Sequence, residues 1–304
     1  MEILFSFITY QRPFLTPLVT HYGTWKVREG IIIYLVDQEG RVGKGEIAPL
    51  PWFGSESLAQ ALLFCQELNQ EKFRESTLNQ IPSGLTACQF GFTTAWEDLH
   101  SPSTVLEDSL NYSYLLPHGE KAISICQQER QKGRTTFKWK IAIQPLETEL
   151  QIFSQLVSVL KGAKLRLDAN GGLNYQEAIA WLKIADKTGV VEFLEQPLPP
   201  REFSTMLDLS QKSNTAIALD ESVATLTELE TCYQQGWRGV YVVKPAIAGS
   251  PQKLKQLCQK YQLDIVFSSV FETEIGRQGI LKLARELNLT RPLGFSVNQW
   301  FKEN

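Results

Sequence analysis

Five short apolar stretches of this chain each end on a charged residue, at Lys140, Asp168, Glu195, Asp220 and Lys244. The ends lie 28, 27, 25 and 24 residues apart. Each gap fits one strand, one crossover helix and two loops. Alternation within each stretch is of period 2, the strand repeat. In Leu165–Gly172 it puts Arg166, Asp168 and Asn170 on one face and Leu165, Leu167 and Ala169 on the other, with Gly171 and Gly172 ending the strand. In Phe137–Ile141 both Lys138 and Lys140 share a face, against Phe137, Trp139 and Ile141. Phe193 pairs with Glu195, the small Ala216 and Ala218 with Asp220, and Val240 and Val242 with Lys244. A strand at Tyr112–Leu116 precedes this series, and strands at Ile265–Ser268 and Leu293–Ser296 follow it. The rhythm predicts a (β/α) barrel, in which the C-terminal strand ends converge on one mouth. Taken singly, a strand-end Asp can equally cap a helix or turn, and a two-lysine face can belong to a solvated edge strand.

Residues 1–98 do not follow this rhythm. Gly30–Val36 and Arg41–Ile47 flank the turn Asp37–Gly40 and predict an antiparallel hairpin, with Gly43-Lys44-Gly45 as twisted strand. Ser57, with Gln60 three residues on, opens a helix through Leu68 as a capping box. A second helical pattern runs from Leu85 to Leu99. This half is an α+β unit of residues 1–98, followed by a barrel of residues 99–296 and a tail, 297–304, expected to pack near the first unit. Two loops, His21–Lys26 and Pro49–Ser55, set Tyr22, Trp25, Trp52 and Phe53 beside Gly and Pro. Such loops suit a lid over an organic substrate, or a packed domain interface.

Composition narrows the partners. The 304 residues are 43% hydrophobic and 21% charged, an ordinary globular balance. Thirty basic against thirty-three acidic residues give a net charge of −3, which offers neither a nucleic-acid footprint nor attraction to an acidic membrane. The expected partner is a small molecule. Five cysteines without a C-x-x-C pair fit reduced thiols, and no run approaches the roughly 18 apolar residues of a membrane span. A cytoplasmic location follows as the expectation, with the oligomeric state open and a monomer compatible. The three histidines, His21, His100 and His118, do not form a metal site.

Asp168, Glu195 and Asp220 at one barrel mouth would bring three negative charges together. They require a cation, and all-oxygen donors select a hard one, most simply Mg²⁺. With a substrate carboxylate added, Lys140 and Lys244 balance the remaining charge. A lysine must be neutral to act as base, and nearby cations lower its pKa. This supports Lys140 as general base with Lys138 as the charge that tunes it. Ser268 and Ser269 reach the same mouth.

The motifs Lys138-x-Lys140, Asp168-Ala-Asn-Gly171, Glu195-Gln-Pro-Leu198, Leu219-Asp-Glu-Ser222 and the Val-Lys-Pro around Lys244 resemble the muconate-lactonising subgroup of the enolase superfamily. Gly45–Pro51, Ser268–Gly276 and Arg28-Glu29-Gly30 add a likeness to the o-succinylbenzoate synthase family, over nearly the whole chain. The resemblance implies an α/β fold, a (β/α)₇β modified TIM barrel with an α+β N-terminal capping domain. It implies Mg²⁺ on Asp168, Glu195 and Asp220, Lys140 as base and Lys244 as the opposite, enediolate-stabilising group. Asn170 and Glu221 would stand behind the ligands, and Lys138, Ser268, Ser269, Trp25 and Trp52 would face substrate. Lysine bases with Mg²⁺-held enediolates are the pattern of that superfamily. The implied reaction dehydrates 2-succinyl-6-hydroxy-2,4-cyclohexadiene-1-carboxylate to o-succinylbenzoate in menaquinone or phylloquinone biosynthesis. An N-succinylamino acid racemase would need the same pair of lysines. A dipeptide epimerase would usually carry an Asp-x-Asp where Gly294–Gln299 reads Gly, Phe, Ser, Val, Asn, Gln. A class I aldolase could use Lys244 for a Schiff base, and a non-catalytic binding protein could keep the fold.

Overall fold

The computed structural model describes residues 3–20, 23–68, 73–102, 105, 110–294 and 300–301. The chain opens with a three-stranded antiparallel sheet, β1 (Leu4–Thr20), β2 (Gly23–Val36) and β3 (Val42–Ile47), in that order. The hairpin expected from the sequence is β2–β3, paired from Ile31 with Ile47 to Val36 with Val42. The long β1 was not legible. Its register on β2 shifts between Pro13 and Leu18, and Leu4, Ile8 and Leu15 are exposed, so its apolar residues do not mark one buried face.

Helix Leu58–Leu68 starts at the expected box, with Ser57 N donating to Gln60 Oε1 at 2.8 Å and Gln60 N to Ser57 Oγ at 3.2 Å. Helix Thr86–His100 lies directly on β3. The reason is Gly43 and Gly45: a Cβ on Gly45 would stand 2.0 Å from the Gly91 carbonyl oxygen, and one on Gly43 2.2 Å from that of Ala95. Backbone cannot yield as a flexible side chain can. Gly45→Ala is therefore expected to lower stability by about 1–3 kcal/mol through overpacking. A urea midpoint equal to the parent's would mean that the helix moves aside freely.

The second sheet holds seven parallel strands: β4 (Tyr114–Leu115), β5 (Thr136–Lys140), β6 (Lys164–Asp168), β7 (Val191–Glu195), β8 (Ala216–Leu219), β9 (Val240–Val243) and β10 (Ile265–Phe267). Their spatial order follows the sequence from β4 to β10. Parallel bridges from Leu293 to Tyr112 and from Gly294 to Ser268 join its two edges. These close the ring at the place of the eighth strand, whose expected continuation through Ser296 lies outside the described residues. So do His21, Tyr22 and most of the tail, although Phe301 pairs with Phe14 of β1. Capping boxes at Asn174 with Glu177 and at Thr225 with Glu228 start two of the crossover helices. No described helix is long and apolar enough to cross a membrane.

Inside the barrel, Phe193, Ala218, Val240, Val242 and Val266 form a separate buried cluster, the small and branched filling that inward alternation requires. One carboxylate fastens the first sheet to the barrel. Glu46 of β3, fully buried, accepts from Tyr10 Oη at 2.5 Å, from Thr273 N and Gly276 N at 2.9 Å, and from the Thr273 hydroxyl. Thr273 and Gly276 begin helix Glu274–Glu286, where unpaired N–H groups favour an anion.

Candidate active site

The parallel register sets Lys140 beside Asp168 and Asp168 beside Glu195, at the last residues of β5, β6 and β7. Asp220 follows directly on β8 and Lys244 on β9. The three carboxylates are at most 3% exposed. Their strand neighbours thus bring together residues 104 positions apart in sequence, as the spacing implied.

Ammonium groups thread this row. Lys138 Nζ lies 2.8 Å from Asp168 Oδ2 and 2.6 Å from Glu195 Oε1. Lys140 Nζ lies 2.9 Å from the same Asp168 oxygen and donates to Asn170 Oδ1. Lys244 Nζ donates to Asp220 Oδ1 and stands 3.8 Å above the ring of Phe53. Asn170, with φ of 44°, also donates its Nδ2 to Glu221 Oε1 at 2.9 Å and its backbone N–H to Asp168 Oδ1 at 3.0 Å. Lys138 is the locked ammonium, with 16% of its side chain exposed, and Lys140 the open one, with 33%.

With the carboxylates drawn onto lysines, no three acidic, histidine or cysteine side chains among the described residues converge as a metal cluster. The donors nevertheless suit a hard cation. Asp168 Oδ2 has two ammonium nitrogens near it but no hydrogen bond of good geometry, and Glu221 Oε2 is likewise buried without one. Orphaned carboxylate oxygens in an all-oxygen set are what Mg²⁺ takes.

Burial pushes the Glu195 carboxyl up to about 7, helped by Asp168, and that of Asp220 up to about 6, helped by Glu221 and opposed by Lys244. Burial acts on Asp168 too, but Lys138 and Lys140 outweigh it and hold this carboxyl below the usual range. Raised carboxyls in the folded state hold protons that the unfolded chain releases. Metal-free stability from these two groups is therefore fully present below their ordinary values and is lost as pH rises through about 6 to 7. A cation must displace the same protons, so Mg²⁺ is expected to bind more tightly at about pH 8 than at about pH 5.5. Melting curves across Mg²⁺ titrations at the two pH values check this, and equal affinities would count against it.

The lid aromatics divide. Trp25 packs on Trp52 at 5.1 Å between ring centres, on Phe14 at 4.9 Å and on Phe271 at 5.5 Å, a wall between the first sheet and the loop after β10. It is Phe53, next to Trp52, that touches a lysine of the site. Ser268 is half-buried at the closing bridge. The Ser269 hydroxyl is engaged in its own loop, donating to Glu272 Oε2 at 2.8 Å and accepting from Phe271 N at 2.9 Å. Sequence reasoning gave no role to Glu46 or Gln196. For both a signal existed: Gln196 sits inside the Glu-Gln-Pro motif, and Glu46 and its partners Thr273 and Gly276 sit inside Gly45–Pro51 and Ser268–Gly276, although nothing local shows that two segments 227 residues apart meet.

Residues 122–297 match the family model described as enolase C-terminal domain-like, and residues 4–99 match the MenC N-terminal domain. The o-succinylbenzoate synthase of Thermosynechococcus vestitus (strain NIES-2133 / IAM M-273 / BP-1) is 40% identical over 297 residues, covering 96% of this chain and 91% of its own. That of Edwardsiella ictaluri (strain 93-146) is 30% identical over 280 residues, covering 90% and 83%. Among solved structures, o-succinylbenzoate synthase from Thermosynechococcus elongatus BP-1, complexed with Mg in the active site, superposes with a TM-score of 0.93 at 38% identity, over 99% of this chain and 95% of that one. A substrate-liganded L-Ala-D/L-Glu epimerase from Bacillus subtilis gives a TM-score of 0.83 at 20% identity over 100% and 92%, a likeness of fold.

Proposed function

Since the chain belongs to the o-succinylbenzoate synthase family of the enolase superfamily, we infer that it removes water from 2-succinyl-6-hydroxy-2,4-cyclohexadiene-1-carboxylate to give o-succinylbenzoate, a Mg²⁺-dependent carbon–oxygen lyase reaction of menaquinone or phylloquinone biosynthesis. The observation that carries the site assignment is the row of strand ends: Lys140, Asp168, Glu195, Asp220 and Lys244, on five successive strands of one barrel.

Lys140 is the base in this reading. It is the lysine most open to the mouth, and Asn170 and Asp168 aim its Nζ. In its neutral form it takes the proton next to the substrate carboxylate, which leaves an enediolate. Lys244 supports that charge from the other end of the row, held by Asp220 and shielded from water by Phe53. The ring carbon–oxygen bond then breaks, the hydroxyl leaves as water with the proton that Lys140 took, and the electron pair of the enediolate completes an aromatic ring, a favourable last step. Asp168, Glu195 and Asp220 would hold Mg²⁺, which when bound supplies a hard divalent charge for the substrate carboxylate. Lys138 holds Asp168 and Glu195 in place from below, while Asn170 and Glu221 steady Lys140 and Asp168.

Trp25 and Trp52 would form the outer wall of the substrate pocket and Phe53 its inner face, with Ser268 and Ser269 on the loop after β10 that adjoins this wall through Phe271. In this reading the chain divides into a cap of residues 1–98 and a barrel of residues 99–296, with the site at the barrel mouth and Phe53 of the cap over Lys244. A cytoplasmic enzyme of a small carboxylate, without nucleic-acid or membrane partner, goes with this chemistry. The test follows the ultraviolet absorbance of the cyclohexadiene substrate. Its loss should require Mg²⁺ and stop with EDTA. Folded protein that binds Mg²⁺ yet leaves the absorbance unchanged would overturn the assignment of reaction.

A further inference from the structure

We propose that Gln196 is the positioning residue that sets the spacing of the three carboxylates, by tying the loop after β6 and the end of β8 to the end of β7. The inference rests on the reading of Asp168, Glu195 and Asp220 as Mg²⁺ ligands. Gln196 directly follows Glu195, is fully buried, and has φ of 38°, the left-handed backbone that a side chain other than glycine rarely adopts.

Its side chain spans to the neighbouring strand end. Oε1 accepts from the backbone N–H of Asp220 at 2.9 Å and of Ser222 at 3.2 Å. Nε2 donates to the Leu198 carbonyl and the Ser222 hydroxyl, both at 2.8 Å, and lies 3.7 Å from Met206 Sδ. Both amide protons and the amide oxygen are therefore used, which also fixes which end is which. The main chain reaches the other side as well. Gln196 N donates to the Ala218 carbonyl at 2.8 Å, and the Gln196 carbonyl accepts from Gly171 N at 2.7 Å, in the loop that carries Asn170.

One residue thus contacts the segments bearing all three carboxylates, yet its side-chain partners are backbone groups, a hydroxyl and a thioether, not a lysine or a carboxylate oxygen. Buried amides fully satisfied in this way hold a geometry rather than supply chemistry. Groups behind metal ligands commonly change metal affinity by about 10–100-fold when removed. The left-handed turn and the five side-chain approaches are more than a strand end needs for its backbone alone.

The test compares Gln196→Leu, which keeps the volume and deletes every side-chain hydrogen bond, with Gln196→Asn, which keeps the amide but is one methylene too short for Asp220. Leu156→Ala, in the buried face of helix Leu146–Leu160, serves as a purely structural control. Calorimetric titration of metal-free protein with Mg²⁺ is the readout, alongside melting temperature. Both Gln196 variants should bind Mg²⁺ about 10–100-fold more weakly, whereas Leu156→Ala should melt lower and bind Mg²⁺ as the parent does. Should Gln196→Leu fail to fold, Gln196→Asn carries the comparison alone. Parental Mg²⁺ affinity in either folded variant would overturn the proposal. Because the titration needs no substrate, a parent that binds Mg²⁺ without turning over substrate would refute the reaction and leave the role of Gln196 standing.

Discussion

Lys140→Ala should lose turnover by roughly 10²–10⁴-fold, the usual contribution of a placed general base, while still binding Mg²⁺. Lys140 is the one ammonium of the row with a third of its side chain exposed, and Asn170 and Asp168 fix its direction. Its removal takes away an ammonium that competes with a metal for Asp168 Oδ2 and leaves every carboxylate in place, so metal binding should be as tight as in the parent or tighter. The measurement is kcat from substrate absorbance together with a Mg²⁺ titration. A variant that kept most of the parental rate would move the base elsewhere, with Lys244 the next candidate. Loss of Mg²⁺ binding together with turnover would instead make Lys140 part of the scaffold.

A second large effect is expected on stability. Lys138 is wedged between Asp168 and Glu195, and Lys138→Met keeps its approximate shape while deleting the charge. Removing one partner from a buried ionic group costs about 3–5 kcal/mol, because the remaining charges lose their compensation. At about 2.1 cal/mol/K of unfolding entropy per residue, in a chain of 304 residues that corresponds to a melting temperature lower by roughly 5–8 °C. The loss should be seen with EDTA and be largely recovered in excess Mg²⁺, since a bound cation stabilises the folded state by mass action. The parent has its own internal cation and should show a smaller difference between the two conditions. A variant that melts like the parent in EDTA would show that the ammonium is not what holds the metal-free carboxylates.

The assignment of residues to the mouth came from local information. Alternation of period 2 fixes which side chains of a strand share a face, and even spacing fixes which strand ends share a rim. Lys140, Asp168, Glu195, Asp220 and Lys244 needed nothing more, and neither did the hairpin β2–β3 or the capping box at Ser57. Strand β1 escaped this reading because its apolar residues are partly exposed and its register shifts midway, so no single period survives.

What only the tertiary structure decided is which groups meet across elements. The sequence offers Lys138 as a charge beside the base, and the fold adds that it bridges two carboxylates. Trp52 and Phe53 are adjacent in sequence, yet the loop turns only Phe53 onto Lys244. Glu46 meets Thr273, and Gln196 meets Asp220, through docking and crossover geometry that leave no period in the chain. The sequence by itself determined which charged side chain stands at each strand end, because side-chain direction there follows from the next few residues. Distances and partners were left to the packing of cap on barrel and strand on strand, because those contacts join residues that no local repeat connects.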